Sequence, residues 1–76
     1  MFKIKYCGSW NYRPQAESLS VDMNNAGLQT IFEEGDKGQF EIFKYGKGAK
    51  YNSFIKAGHG NFITLNQVER KLAGMD

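Results

Sequence analysis

Cysteine and histidine each occur once in the 76 residues, as Cys7 and His59. A single cysteine excludes an internal disulfide framework, and one Cys with one His excludes every structural zinc set of four such ligands. No metal site is therefore expected. Proline is also single, as Pro14. No apolar run reaches the roughly 18 residues that a membrane span needs, so none is expected. The first residues alternate apolar and polar and carry Lys3 and Lys5, unlike the apolar core of a secretory signal. With so little cysteine, the expected setting is reducing and cytoplasmic. There is no GxxxxGK[ST] or GxGxxG run, no repeat and no low-complexity tract.

What the chain does hold is aromatic: six Phe, four Tyr and one Trp. A domain this small hides only about 60–65% of the surface of its unfolded chain, so its core must be dense, and the rings can supply that density. The formal net charge is +2, unevenly spread. Residues 37–56 hold Lys37, Lys44, Lys47, Lys50 and Lys56 against Glu41 alone, whereas residues 1–36 are acidic on balance.

Local patterns place six elements in one domain, residues 1–76. Phe2-Lys3-Ile4-Lys5-Tyr6 alternates with period two and predicts a strand with Phe2, Ile4 and Tyr6 buried. Cys7-Gly8-Ser9-Trp10-Asn11 reads as a loop. Pro14 suits a first helical turn, Ala16, Leu19, Met23 and Ala26 make one helical face, and Gly27 suits its end. Residues 28–33 and 39–45 read as strands, with Gly46-Lys47-Gly48 as a hairpin turn and residues 49–55 as the returning strand. Residues 57–61 form a second glycine loop. Thr64 and Gln67 fit a capping box ahead of the stripe Leu65, Val68 and Leu72. The order β-α-β-β-β-α predicts a mixed four-stranded sheet with two helices, an α+β arrangement of thioredoxin-like type, its first two strands parallel through a right-handed crossover.

Cys7 falls at the carboxyl end of the first strand, ahead of a helix, where α/β folds place reactive groups. The helix dipole and Arg13 would both favour thiolate, the reactive form. The plainer reading is a small buried hydrophobe.

The stretch Tyr6-Cys7-Gly8-Ser9-Trp10-Asn11-Tyr12 resembles the redox loop of the selenoprotein W family, Tyr-Cys-Gly-x-(Cys or selenocysteine)-Gly-Tyr. Gly38-Gln39-Phe40-Glu41-Ile42 resembles that family's Gly-x-Phe-Glu-Val strand. Tyr45-Gly46-Lys47 falls at its hairpin, and Gly58-His59-Gly60-Asn61-Phe62 resembles its glycine-aromatic loop. The likeness runs over roughly residues 2–73. It implies a thioredoxin-like fold and a thiol or selenol redox role linked to glutathione or a thioredoxin-type reductant, with no bound cofactor. Carried over, Cys7 is the first redox residue and Trp10 holds the place of the second, with Gly8, Ser9 and Arg13 completing the redox loop. His59 would lie near the thiol, although an exposed loop histidine is the simpler reading. Trp10 cannot form or resolve a disulfide, so no two-residue redox cycle is available. Asn11 stands where the family has glycine. Two origins of Trp10 are open: a true substitution, or a selenocysteine position, since the UGA codon is one base from UGG.

Two rivals come from other classes. A non-catalytic protein-interaction module would use the 7–12 loop and the 58–62 loop, with Trp10 as anchor. A nucleic-acid binder would use the lysines and rings of residues 37–56. The plainer reading of that stretch puts solvated lysines on one face and core aromatics on the other, and the small net charge makes nucleic acid an unlikely partner.

Overall fold

Alternation in the first strand sets the frame for the rest of the chain. In the computed structural model, which describes residues 1–57 and 60–74, β1 spans Phe2–Tyr6, with Phe2, Ile4 and Tyr6 buried and Lys3 and Lys5 turned the other way. Helix α1 covers Arg13–Asn25, with Pro14 in its first turn, where the missing N–H breaks no helical bond. Ala16, Leu19 and Met23 are buried as the spacing requires. Ala26 is exposed instead, because the helix ends at Asn25 and Ala26 caps it. Gly27 follows at φ +83°, a value at which a Cβ would be strained.

Strands β2 (Thr30–Glu34), β3 (Phe40–Tyr45) and β4 (Tyr51–Lys56) complete the sheet. The strand order is β2-β1-β3-β4, with β1 parallel to β2 and the other pairs antiparallel. The chain is therefore an α+β fold with the expected βαβββα arrangement, compatible with the thioredoxin-like class. The returning strand starts later than its sequence pattern suggests. Gly46 to Lys50 is spent on a turn, with a 3-10 segment at Lys47–Ala49 and positive φ at Gly48 and Ala49. A register shift beside Phe43 leaves Phe54 without a partner across the ladder, so Phe54 and Ile55 both pack on the core.

Helix α2 covers Leu65–Leu72. Its capping box is present as predicted: the Gln67 N–H donates to Thr64 Oγ1 at 3.3 Å and the Thr64 N–H to Gln67 Oε1 at 2.9 Å. Val68 is buried, Leu65 is half-buried and Leu72, at the last turn, is exposed. Buried side chains of β1, β3, α1 and α2 join in one cluster, so both helices lie on the same face of the sheet. No helix is long and apolar enough to cross a membrane among the described residues.

Candidate functional site

The end of β1 is where three parts of the chain meet. β2 and β3 are both neighbours of β1, so the 35–39 connection between them must cross over the carboxyl end of β1. It is tied down there by Gly35 N–H donating to Tyr6 O at 2.7 Å, Gln39 N–H to Asp36 O at 3.1 Å and Asp36 N–H to Gln39 Oε1 at 2.8 Å. Gly38, at φ +76°, turns the connection back into β3.

Cys7 follows directly and is 1% exposed. Its carbonyl accepts the Tyr12 N–H at 3.1 Å and the Gly8 carbonyl accepts the Asn11 N–H at 3.1 Å, which folds residues 7–12 into a tight turn against the start of α1. Asn11 sits at φ +59°, a left-handed conformation that asparagine tolerates better than most residues and glycine adopts freely. Gly8 lies so close to Glu34 that a Cβ would fall within 2.4 Å of its carboxyl carbon.

The sulfur is held by donors. Cys7 Sγ lies 3.3 Å from Ser9 Oγ, and the backbone N–H groups of Gly38, Trp10 and Ser9 also favour its anion. Burial pushes the thiol up, but these hydrogen bonds outweigh it, and Cys7 is held below its ordinary value. Arg13, one of the two supports expected from sequence, is not among these causes. Arg13 carries its guanidinium carbon 5.7 Å from the Phe32 ring centre, so its visible partner is an aromatic face. The donors to the sulfur are loop groups, one of them from the far side of β1.

Trp10 is half-buried, its ring meeting Tyr12 edge-on at 5.9 Å. Tyr12 in turn meets Phe62 at 4.8 Å, and Phe62 meets Phe40 at 5.3 Å. Phe62, after the second glycine loop, is thereby brought against the 7–12 turn. Phe62 remains 38% exposed. It borders an open groove of about 330 Å³ that runs along α1 past Pro14, Ser18 and Asp22. His59 and Gly58 lie outside the described residues. Among the described residues, no group of three or more His, Cys, Asp or Glu could hold a metal ion.

The Gly38 donor was invisible to sequence reasoning. Its only sequence signal is a glycine in a loop too short to avoid crossing β1. No family model, no curated protein and no solved structure matches the chain.

Proposed function

We propose that the chain is a thiol redox protein of selenoprotein W type in which Cys7 works alone. The observation that carries this reading is the convergence of Ser9 Oγ and the N–H groups of Ser9, Trp10 and Gly38 on one sulfur. Donors aimed at a sulfur stabilise its anion, and the thiolate is the nucleophile of disulfide exchange. The motif order around Cys7, Phe40 and Phe62, and the left-handed Asn11 at a glycine position, support the same assignment.

The chemistry is monothiol exchange. Cys7 thiolate attacks the glutathione sulfur of a mixed disulfide between glutathione and a substrate thiol, a new S–S bond forms at Cys7, and the substrate sulfur leaves as a thiolate. A second glutathione thiolate then attacks the mixed disulfide, releasing Cys7 thiolate and oxidised glutathione. Electrons balance with glutathione as reductant, and a thioredoxin-type reductant could take the second step. A reducing cytoplasmic compartment supplies both. With Cys7 1% exposed, exchange requires the 7–12 turn to open. If position 10 is natively selenocysteine, that residue attacks and Cys7 resolves, and the Trp10 chain is an inactive stand-in.

The test is incubation with oxidised glutathione followed by intact mass measurement. A single adduct absent from Cys7→Ser supports the reading, and an unmodified folded protein overturns it. A second reading, a non-catalytic interaction module, is favoured by one observation: the Trp10, Tyr12 and Phe62 rings gather beside the turn. Partner capture lost in Trp10→Ser but kept in Cys7→Ser would select it.

A further inference from the structure

The two faces of the sheet are unequally covered. Both helices pack on the face of Phe2, Ile4, Tyr6, Phe40 and Ile42. Strand alternation sends Lys3, Lys5, Glu33, Phe43, Tyr45 and Tyr51 to the opposite face. Neither helix packs there, and Ile31 and Tyr45 on that face are 44% and 46% exposed.

The composition of this open face departs from the sequence expectation, in which aromatics of the 37–56 stretch would be core and lysines solvated. Phe40 and Phe54 do turn inward. Phe43, Tyr45 and Tyr51 instead turn outward and share the surface with cations. Lys3 Nζ lies 4.4 Å from the Tyr51 ring centre and Lys5 Nζ 5.6 Å from that of Phe43. The Tyr45 and Tyr51 rings meet edge-on at 5.3 Å. Lys47 and Lys50, both exposed, extend the positive charge along the adjoining turn.

The mixture selects the occupant. Cations alone would suit any polyanion, and rings alone any apolar surface. Rings and ammonium groups side by side suit a chain that alternates flat bases with phosphates. A second copy of this sheet would set lysines against lysines. An acidic peptide satisfies the lysines but offers nothing that every exposed ring can stack on. Two acidic groups sit within the patch, and of these Glu33 lies 3.3 Å from Lys3 Nζ and 3.8 Å from Lys5 Nζ, and so competes with any phosphate for both. The other, Glu41, lies directly across the ladder from Lys5 and is already held by Gln39 and Ser53.

We infer that the open sheet face binds single-stranded nucleic acid, with bases on Phe43, Tyr45 and Tyr51 and phosphates on Lys3 and Lys5. This surface is separate from the Cys7 turn and does not depend on the redox reading. The test is fluorescence anisotropy of a labelled oligothymidylate of about 12 nucleotides, a length within the usual range for one small domain. Two phosphate contacts on a single strand, at Lys3 and Lys5, give a log–log salt slope of about −1.4, so affinity should fall about seven-fold between about 50 and about 200 mM salt. Tyr45→Ser with Tyr51→Ser should weaken binding and leave that slope unchanged. Lys3→Gln with Lys5→Gln should weaken binding and flatten the slope. Glu33→Gln should tighten binding, because it frees both lysines. Cys7→Ser should bind like the parent. No binding at about 50 mM salt overturns the inference. Parent-like binding by the tyrosine variant with an unchanged circular dichroism spectrum overturns it too, as does equal competition by an oligoglutamate of matched length.

Discussion

The backbone N–H of Gly38 helps to hold the Cys7 thiol below its ordinary value, although the two residues belong to different loops. This arises because β1 lies between the strands that the 35–39 connection joins. Strand order therefore builds part of the thiol's environment, and the 7–12 turn supplies the rest.

Ionisation of Cys7 should occur at lower pH than for an ordinary cysteine. Iodoacetamide modification followed against pH in the folded protein should show its midpoint shifted down. Ser9→Ala removes the side-chain donor and should move that midpoint back up, slowing modification at neutral pH. A midpoint unaffected by Ser9→Ala would mean that the hydroxyl does not stabilise the thiolate.

Stability should carry the same signature. A thiol that ionises more readily in the folded state than in the unfolded one favours folding when deprotonated. The gain is complete above the unfolded thiol's pKa and is lost as pH falls through the folded value. Urea unfolding of the parent and of Cys7→Ser, compared from neutral to alkaline pH, should diverge as pH rises. Parallel curves would contradict the lowered thiol.

Asn24 closes α1 onto the sheet. Its side chain donates to Ser20 O at 2.8 Å and Thr30 O at 3.1 Å, while the Thr30 N–H donates to its Oδ1 at 2.8 Å. Thr30 is buried, so Asn24→Ala leaves peptide groups of the first strand position of β2 without their partner. The expected loss is about 1–3 kcal/mol in chemical denaturation. Met23→Ala, which empties a fully buried site on the neighbouring turn, should cost about 2–5 kcal/mol.

The backbone at position 11 gives a conformational test of the turn. Asn11→Ala forces an alanine into φ +59° and should destabilise by about 1–2 kcal/mol, whereas Asn11→Gly should be close to neutral. Equal losses in both would show that the asparagine side chain, not the backbone, holds the turn.

Much of this fold was legible because its signals are local. The period of two in β1, the Thr64 and Gln67 cap of α2 and Gly27 after α1 each act within a few residues. The remainder depends on what the elements meet. Asn24 reads as a weak helix former until β2 lies beside it. Alternation separates Phe43, Tyr45 and Tyr51 from Phe40 and Ile42 but does not say which set the helices cover. The unpaired Phe54 shifts register in a way that no local pattern announces. At the site, Cys7 was identifiable from its place after a strand, yet apart from Ser9 Oγ the groups that favour its anion are backbone N–H groups, which residue identity does not encode. Arg13, a side chain with an evident charge, stands over Phe32 instead.

A Trp10→Cys variant tests the redox pair that the loop resembles. With a thiol at position 10, oxidation should close a bond to Cys7, read as the loss of both free thiols in an intramolecular product. Two thiols that stay free under oxidant would place position 10 out of reach of Cys7.

The central claim is that Cys7 is an exchange-competent thiolate, and glutathionylation of the unmodified chain tests it most directly. The folded protein is incubated with oxidised glutathione at neutral pH and weighed intact. The account predicts one glutathione adduct, removed by added thiol and absent from Cys7→Ser. A folded chain whose mass does not change would contradict it.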